Sequence, residues 1–240
     1  MAAAGMRIVS NMSIGLNHVA VDRLASHGIT VTNCPGYCSD DVAQHTVALM
    51  LDLMRQVTLL NRDVRDGAWN PLGGYTMHRT QGRTLGLVFF GSIARAVAPI
   101  AQALGMKVLV WAPTKTAEEL AAAGCAKAQT LDELLGASDI VSLHCPLIPE
   151  TEKLIGKREL ALMKPTAFLI NTARGPIVDE NALVAALDEG IASGGTRGIC
   201  GAALDVLADE TAPNQALIAH PRCIVTPHCA YSTQEAYDTV

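Results

Sequence analysis

The stretch that most constrains the fold of this chain is residues 84–98, TLGLVFFGSIARAVA, where an apolar run breaks at a glycine and then turns helical. Residues 85–90 have the nearly continuous apolar character of a buried strand, whereas Ile93, Val97 and Ile100 recur at the spacing of one helix face. A strand, a glycine turn and a helix in this order form the opening βα unit of a dinucleotide-binding domain.

The glycine fingerprint of such domains, G-x-G-x-x-G, is only half present, because its three positions fall on Phe89, Gly91 and Ala94. Gly91 would let the backbone approach a pyrophosphate at the helix N-terminus, and alanine is an accepted third residue. Phe89 is anomalous, because a side chain there costs about 1–2 kcal/mol if the turn requires a positive φ. For this segment alone, a plain strand-to-helix turn is an equally good interpretation.

Composition narrows the class of protein. The chain has 240 residues, of which 50% are hydrophobic and 4% aromatic, which suits an α/β globule with a sizeable core. A net charge of −5 and a pI near 5.8 argue against a nucleic-acid partner. Because no run of about 18 apolar residues is present and the N-terminus is too short for a signal peptide, we expect a soluble protein without a membrane partner.

The seven cysteines are an odd number, scattered and without a C-x-x-C pair, which favours a reducing compartment and hence the cytoplasm. Cys34 and Cys38 flank a Pro-Gly turn, while Cys145 and Cys229 each follow a histidine. The ligand spacing of a structural zinc site is absent, so we expect no metal.

Residues 1–66 precede the nucleotide-binding pattern. Two short strands are predicted at 7–10 and 29–32, with a helix between them at 19–27. The longest helical pattern follows over 39–66 and is apolar around most of its circumference, which indicates burial between layers or, as the less favoured alternative, in a subunit interface. We interpret 1–66 as a partial substrate domain with a long linking helix.

A Gly/Pro-rich stretch at 67–82 marks the domain boundary, after which strands and helices alternate. This alternation predicts a doubly wound parallel sheet within a dinucleotide-binding domain over 67–226, followed by a return segment over 227–240. The predicted strands are 84–90, 106–111, 125–128, 139–144, 166–171, 199–204 and 223–226, and the predicted helices are 92–104, 116–123, 130–136, 156–163 and 179–189.

Polar residues with complementary chemistry follow several of these strands, at the sheet edge where ligands bind. Arg174, Glu210 and His228 each lie shortly after a strand. Arginine pairs with a carboxylate and polarises an adjacent carbonyl, histidine exchanges a proton near neutral pH, and a glutamate orients the histidine. Beside a nicotinamide, these three residue types predict the reversible reduction of a 2-oxo acid.

The residue after the second strand of this domain bears on the cofactor. NAD-selective domains place an acid there for the ribose hydroxyls, but this chain has Ala112. Thr114 and Lys115 could instead meet the 2′-phosphate of NADP, although two exposed loop residues are an equal alternative. Both NAD and NADP therefore stay open.

The chain resembles the D-isomer-specific 2-hydroxyacid dehydrogenase family over nearly its whole length, including relatives of the glyoxylate/hydroxypyruvate-reductase and C-terminal-binding-protein types. The matching blocks include TLGLVFFGSIARAVA, SDIVSLHCPLIPETEKLIG, MKPTAFLINTARGPIVDENALVAAL, GAALDV and TPH.

The resemblance implies a Rossmann domain, a remnant of a flavodoxin-like substrate domain, and a homodimer. It assigns catalysis to Arg174, Glu210 and His228, and substrate binding to Arg174 and to the backbone amides around Ile14 and Gly15. It also implies cofactor contacts, which fall on Gly91, Ser92, Ile93, Cys145, Pro146, Thr172, Ala173 and Asp205.

Several features depart from the family pattern. Members have further βα units before residue 7 and a returning helix after Val240, so we expect an unpaired edge and exposed apolar surface on the small domain. Glu210 is followed by Thr211 where proline is usual. The connection at 190–198 is longer than usual and should lie on the sheet edge away from the site.

Together these features predict an NAD(P)-dependent oxidoreductase that interconverts a small 2-oxo acid, such as glyoxylate or hydroxypyruvate, and its D-2-hydroxy acid. Two alternatives remain at this point. One is a non-catalytic, dinucleotide-sensing interaction protein that resembles the C-terminal binding proteins. The other is a damaged or fragmentary chain that no longer binds a cofactor, because of Phe89, Ala112 and the family segments missing at both ends.

Overall fold

The computed structural model describes residues 5–240, so the first four residues of the predicted first domain lie outside the described part. The chain begins with β1 (Ile8–Ser10), α1 (Val21–Ala25) and β2 (Thr30–Thr32). The two strands pair in parallel, with Ile8 opposite Thr30, and form a sheet of their own. As expected, this sheet leaves apolar surface open, since Ile8 is 61% exposed.

The helical pattern predicted as one helix over 39–66 is two helices, α2 (Ser39–Arg55) and α3 (Val57–Arg65). The single-helix prediction was wrong because Gln56 adopts a left-handed conformation with φ of 55°. The Gln56 side chain donates to the carbonyl of Tyr75 and accepts from its amide, at 2.6 and 3.1 Å. This contact from 19 residues away in sequence holds the break.

A seven-stranded parallel sheet forms the centre of the molecule. Its spatial order is β5-β4-β3-β6-β7-β8-β9, the doubly wound arrangement with its switch point between β3 and β6. The fold class predicted from the sequence is therefore confirmed, and all seven strand predictions end within two residues of the observed bounds. The strands are β3 (Thr84–Val88), β4 (Lys107–Trp111), β5 (Ala126–Lys127), β6 (Ile140–Leu143), β7 (Phe168–Asn171), β8 (Gly201–Leu204) and β9 (Cys223–Val225).

Helices cover both faces of this sheet and divide the core in two. α2 and α4 pack together on one face, where Met50, Leu53 and Val97 are buried among strand residues. The other face buries side chains such as Leu134, Leu160 and Leu183 from α6, α7 and α8. The sequence predicted all the helices after β3 except the last two. These helices are α4 (Ser92–Ala103), α5 (Ala117–Ala122), α6 (Leu131–Ala137), α7 (Lys157–Leu162), α8 (Glu180–Ala192), α9 (Gln215–Ile218) and α10 (Gln234–Thr239).

The turn between β3 and α4 has the strain that the sequence predicts. Phe89 has φ of +71°, in the region that favours glycine, and it donates its backbone N–H to the carbonyl of Trp111 at 2.8 Å. Its ring packs edge-to-face against the Trp111 ring, with centroids 5.7 Å apart. The aromatic contact offsets part of the cost of the turn.

The long connection after α8 precedes the amino end of β8, so it lies opposite the carboxyl edge, as expected. Within residues 5–240, no helix combines the length and the apolar composition that crossing a membrane requires. The division into three segments at residues 66 and 226 stays a prediction.

Candidate active site

A cleft of about 840 Å³ opens along the carboxyl edge of the large sheet and faces the loop after β1. Parts of the polypeptide that are far apart in sequence meet there, because the carboxyl ends of parallel strands share one edge. The walls come from the segments 12–18, 37–42, 144–147, 172–174, 205–210 and 227–231, with Ile93 of α4.

Arg174 stands on a short loop that β7 and its last residue hold in place. The buried Asn171 side chain donates to the carbonyl of Arg174 at 2.9 Å and accepts from the amide of Ala173 at 3.0 Å. Gly175 has no room for a side chain, since a Cβ there would collide with the backbone of Leu207. The loop that carries Arg174 is thereby packed against the segment that leads to Glu210.

The predicted substrate loop lies directly against Arg174, because a Cβ on Gly15 would collide with the Nη2 atom of the guanidinium. Ser13 Oγ donates to the carbonyl of Gly15 at 2.7 Å, and Asn33 Nδ2 donates to that of Ile14 at 2.8 Å. The backbone N–H groups of Ile14 and Gly15 donate to no acceptor within residues 5–240. Free amides beside a guanidinium form a site for a carboxylate.

His228 and Glu210 form a direct pair at the edge of the cleft. The Nδ1 atom of His228 lies 2.9 and 3.0 Å from the two carboxylate oxygens of Glu210, and both side chains are a little under half exposed. His228 has φ of 51°, and its backbone N–H donates to the carbonyls of Asp205 and Thr226. With Nδ1 bound to the carboxylate, the Nε2 atom is the one left for a substrate.

Asp205 fixes the turn that carries His228. Its buried carboxylate accepts from Thr226 Oγ1 at 2.6 Å and from the backbone amides of Cys229 and Ala230, both at 3.0 Å. The sequence predicts a cofactor contact for Asp205, and it does line the cleft. Its oxygens, however, are mainly committed to positioning the histidine.

The residues at the β3–α4 turn fit the pyrophosphate of a dinucleotide. Gly91 has φ of −84°, and a Cβ built on it would meet no atom within 4 Å, so open space lies before the α4 N-terminus. The first intrahelical bond there is donated by Arg95, which leaves the preceding amides available to an anion. Of the eight predicted cofactor residues, Gly91 and Ser92 form this turn, and Ile93, Cys145, Pro146, Thr172, Ala173 and Asp205 line the cleft.

Two side chains after β6 are kept uncharged by burial. Burial lowers the pKa of His144 to about 4, and its Nε2 atom lies 3.0 Å from Ser142 Oγ. Burial also raises the pKa of the Cys145 thiol to about 12. The cleft therefore presents a neutral imidazole and an unreactive thiol on this side.

Sequence reasoning missed some residues of the site. Tyr37 and Tyr231 line the cleft, and only their nearness to the Pro-Gly turn and to His228 could have indicated them. His45 of α2 also went unnoticed, although its Nε2 atom is 3.6 Å from Asp205 and 3.1 Å from Thr226 Oγ1. His45, Asp205 and Cys229 have potential ligand atoms within 4.8 Å of one another, but the bonds to the Asp205 oxygens already account for their closeness.

Comparison with known proteins decides the family. Residues 47–230 match the family described as D-isomer specific 2-hydroxyacid dehydrogenase, NAD binding domain. The chain belongs to this family. It is 37% identical to a glyoxylate reductase of Thermococcus litoralis over 98% of this chain and 70% of the relative. It is 36% identical to a hydroxypyruvate reductase of Blautia hydrogenotrophica over 96% of this chain and 71% of that relative.

Solved structures agree with this assignment. The crystal structure of D-lactate dehydrogenase with NAD+ from Lactobacillus jensenii has a TM-score of 0.83 and 32% identity, over 99% of this chain and 73% of that chain. The family, the Rossmann-type fold, the NAD(P) cofactor and the class of NAD-dependent D-2-hydroxyacid dehydrogenase predicted from the sequence are thereby confirmed.

Proposed function

We propose that this chain reduces a small 2-oxo acid to the D-2-hydroxy acid, and catalyses the reverse oxidation, with Arg174, Glu210 and His228 as its catalytic residues. The observation that carries the proposal is the contact of Arg174 with the Gly15 turn in the same cleft as the His228–Glu210 pair. Glyoxylate and hydroxypyruvate, which the names of two relatives contain, are the reference substrates.

Each residue has a distinct part in this proposal. The amides of Ile14 and Gly15 and the Arg174 guanidinium hold the carboxylate, and Arg174 also polarises the keto group. Gly91, Ser92 and the α4 N-terminus would hold the dinucleotide, whose nicotinamide would supply the hydride to the carbonyl carbon or accept it in the reverse direction. His228 gives its Nε2 proton to the carbonyl oxygen, which becomes the hydroxyl, and takes that proton back in the reverse direction. Glu210 orients His228 and stabilises its charged form.

We further propose that the chain accepts both NADH and NADPH, with affinities that differ by less than about ten-fold. The residues that follow β4, where such domains recognise the ribose or its 2′-phosphate, are not suited to select either cofactor. Ala112 is buried and has no carboxylate for a ribose hydroxyl. The Lys115 ammonium, a candidate for the 2′-phosphate, pairs with Glu119 at 3.2 Å.

The deciding experiment measures oxidation of NADH and NADPH by the purified chain with a panel of 2-oxo acids, followed by the loss of reduced-nicotinamide absorbance. The His228→Asn variant should lose activity at least about 100-fold, because the proton donor is gone. His27 is exposed between α1 and β2 and does not line the cleft, so His27→Asn should retain activity. Equal rates in the His228→Asn variant and the unmodified chain would refute the proposal.

We also propose a homodimer in the cytoplasm. Exposed apolar side chains of α3 and of the loop after it support an interface with a second copy, since Val57, Trp69 and Leu72 are 61%, 87% and 88% exposed. All seven cysteines are free, which supports a reducing compartment. Sedimentation velocity should give twice the chain mass for the unmodified protein and a monomer for a Trp69→Ser/Leu72→Ser variant.

A further inference from the structure

His45 of α2 lies outside the cleft but contacts the turn that carries the proposed proton donor. Its Nε2 atom is 3.1 Å from Thr226 Oγ1 and 3.6 Å from the Asp205 carboxylate. The His45 side chain is 23% exposed, and it is not among the residues that line the cleft. Any influence of His45 on the reaction must therefore pass through Thr226 and Asp205.

The directions of the hydrogen bonds in this group follow from the protons available. Thr226 Oγ1 lies 2.6 Å from the Asp205 carboxylate and donates its single hydroxyl proton to it. The Thr226 oxygen can then only accept from His45, so the Nε2 atom of His45 carries a proton. A chain of donors thus runs from His45 through Thr226 to Asp205, and each bond in such a chain strengthens the next.

Asp205 depends on these donors because it is buried. Among residues 5–240, His45 is the one ion-pair partner of its carboxylate. The other donors are neutral, namely the Thr226 hydroxyl and the amides of Cys229 and Ala230. Burial of a carboxylate is costly unless donors surround it. Loss of the His45 donor would leave the Thr226 hydroxyl free to turn away from Asp205.

The backbone of the same two residues sets the position of His228. The His228 N–H donates to the carbonyls of Asp205 and Thr226, at 2.8 and 3.0 Å. A non-glycine residue keeps a φ such as the 51° of His228 only where its surroundings enforce it. The residues whose side chains His45 holds are therefore those whose carbonyls hold His228. A shift of either one moves the imidazole relative to the substrate carbonyl.

α2 keeps His45 in a fixed place over this edge of the sheet. The next residue, Thr46, is buried, donates to the carbonyl of Val42 at 2.7 Å and accepts from Thr172 Oγ1 at 2.9 Å. α2 also packs on β7 and β8, the strands that lead to Thr172 and Asp205. His45 is thus presented by a helix that is packed on the sheet, which places a side chain more precisely than a loop does.

We propose that His45 is a positioning residue for the reaction, whose Nε2–H holds Thr226 and Asp205 and through them keeps the His228 imidazole aligned for proton transfer. The inference rests on the proposed function, because it concerns the proton donor of that reaction. His45 contacts neither the acid nor the cofactor in this proposal.

The kinetic test measures the rate constant of hydride transfer in a single turnover, with the chain in excess over NADH and with glyoxylate or hydroxypyruvate. General destabilisation lowers the amplitude of such a turnover but not its rate constant. His45→Leu should lower the rate constant about ten-fold, less than the roughly 100-fold that a misplacement of about 1 Å costs, because the amide donors to Asp205 remain. The KM values should change less than about two-fold, because the groups that bind the acid and the cofactor are untouched.

Two further variants of α2 control for the change of side chain. His45→Gln keeps an N–H donor at a similar reach, so its rate constant should stay within about three-fold of that of the unmodified chain. Gln44→Leu is the matched control, because Gln44 is the exposed neighbour of His45 and does not line the cleft. An unchanged rate constant in His45→Leu would overturn the inference.

Thr226→Val tests the route by which His45 acts, and it gives the same comparison if His45→Leu does not fold. It should slow hydride transfer by itself. The double variant His45→Leu/Thr226→Val should be no slower than the slower single variant, because both changes break the same chain of donors. Losses that multiply in the double variant, or a normal rate constant in Thr226→Val, contradict this route.

Magnetic resonance of isotope-labelled histidine rings tests the positioning of His228 without a reaction. The His228 signals are those missing from His228→Asn. They should shift in His45→Leu, return towards their original place in His45→Gln and stay unchanged in Gln44→Leu. Signals that stay in place in His45→Leu contradict the inference.

This measurement separates the inference from the proposed function. If no acid is reduced but the His228 signals shift in His45→Leu alone, the proposed reaction fails and the positioning role stands. If an acid is reduced through His228 while His45→Leu changes neither the rate constant nor the signals, the reaction stands and the positioning role fails.

Discussion

The guanidinium of Arg174 occupies the space that a side chain at Gly15 would need. Glycine is required there for close approach rather than for an unusual φ, since Gly15 is not among the glycines with positive φ. Gly15→Ala should push Arg174 away from the carboxylate site and lower kcat/KM by about 100-fold, as misplacement of a binding group by about 1 Å commonly does.

The matched control for this change is Gly136→Ala in α6. A Cβ at Gly136 meets only one atom within 4 Å, at 3.8 Å, so the fold accepts it and activity should not change. A Gly15→Ala variant with the kinetics of the unmodified chain would show that Arg174 does not need its present position.

The carboxylate of Glu210 contacts the imidazole of His228 through both oxygens. Glu210→Gln keeps a hydrogen-bond acceptor of the same shape but removes the negative charge that stabilises a protonated histidine. We expect kcat to fall by about 10- to 100-fold, with a much smaller change in KM, because the carboxylate does not bind the substrate. Glu235→Gln on α10 is the control, and a Glu210→Gln variant with normal kcat would remove Glu210 from the mechanism.

Phe89 can affect cofactor binding in two ways, through the bulk of its ring and through the backbone strain of its positive φ. Phe89→Ala removes the ring but keeps a Cβ in the left-handed region, whereas Phe89→Gly removes both the ring and the strain of about 1–2 kcal/mol. If the ring limits cofactor approach, both variants should bind NADH about ten-fold more tightly in calorimetry. A gain in Phe89→Gly alone would assign the effect to strain, and no gain in either would show that the turn already suits a dinucleotide.

Most of the fold could be predicted because its signals are local. Most strands of the large sheet are short apolar runs bounded by turn residues, as in Ile140–Leu143 and Phe168–Asn171, where every residue is buried. The break at Gln56 could not be predicted, because glutamine suits a helix interior and the contact that holds the break comes from Tyr75.

The residues of the site also fall into those that the sequence could predict and those that it could not. Arg174, Glu210 and His228 follow strands, so the topology of a parallel sheet is enough to bring them to one edge. Tyr37 and Tyr231 come from a turn and from the segment before α10, and their shared place in the cleft depends on packing against Ala236 and Val42. Such packing leaves no periodic trace in the sequence.

Stability should depend on a charge cluster at the opposite edge of the sheet, around Asp139. Its carboxylate accepts from the Thr84 amide at 2.8 Å and lies 3.1 and 3.3 Å from the Lys164 and Arg83 nitrogens. Burial alone would raise the pKa of Asp139, but the amide and the two cations outweigh it and hold that pKa below its usual value of 3.8. Asp139→Asn should therefore cost about 1–3 kcal/mol in the free energy of unfolding by urea near pH 7.

The pH dependence gives the sharper test of this cluster. Because the pKa of Asp139 is lower in the folded state, its stabilisation is complete above the unfolded pKa and is lost as the pH falls through the folded pKa. The difference between the unmodified chain and Asp139→Asn should thus shrink from pH 7 to about pH 3. Asp132→Asn removes a more exposed partner of Arg158 and should cost less than about 1 kcal/mol at either pH. If the free energies of unfolding of the unmodified chain and of Asp139→Asn differ by the same amount at every pH, the lost stability comes from hydrogen-bond geometry and not from charge.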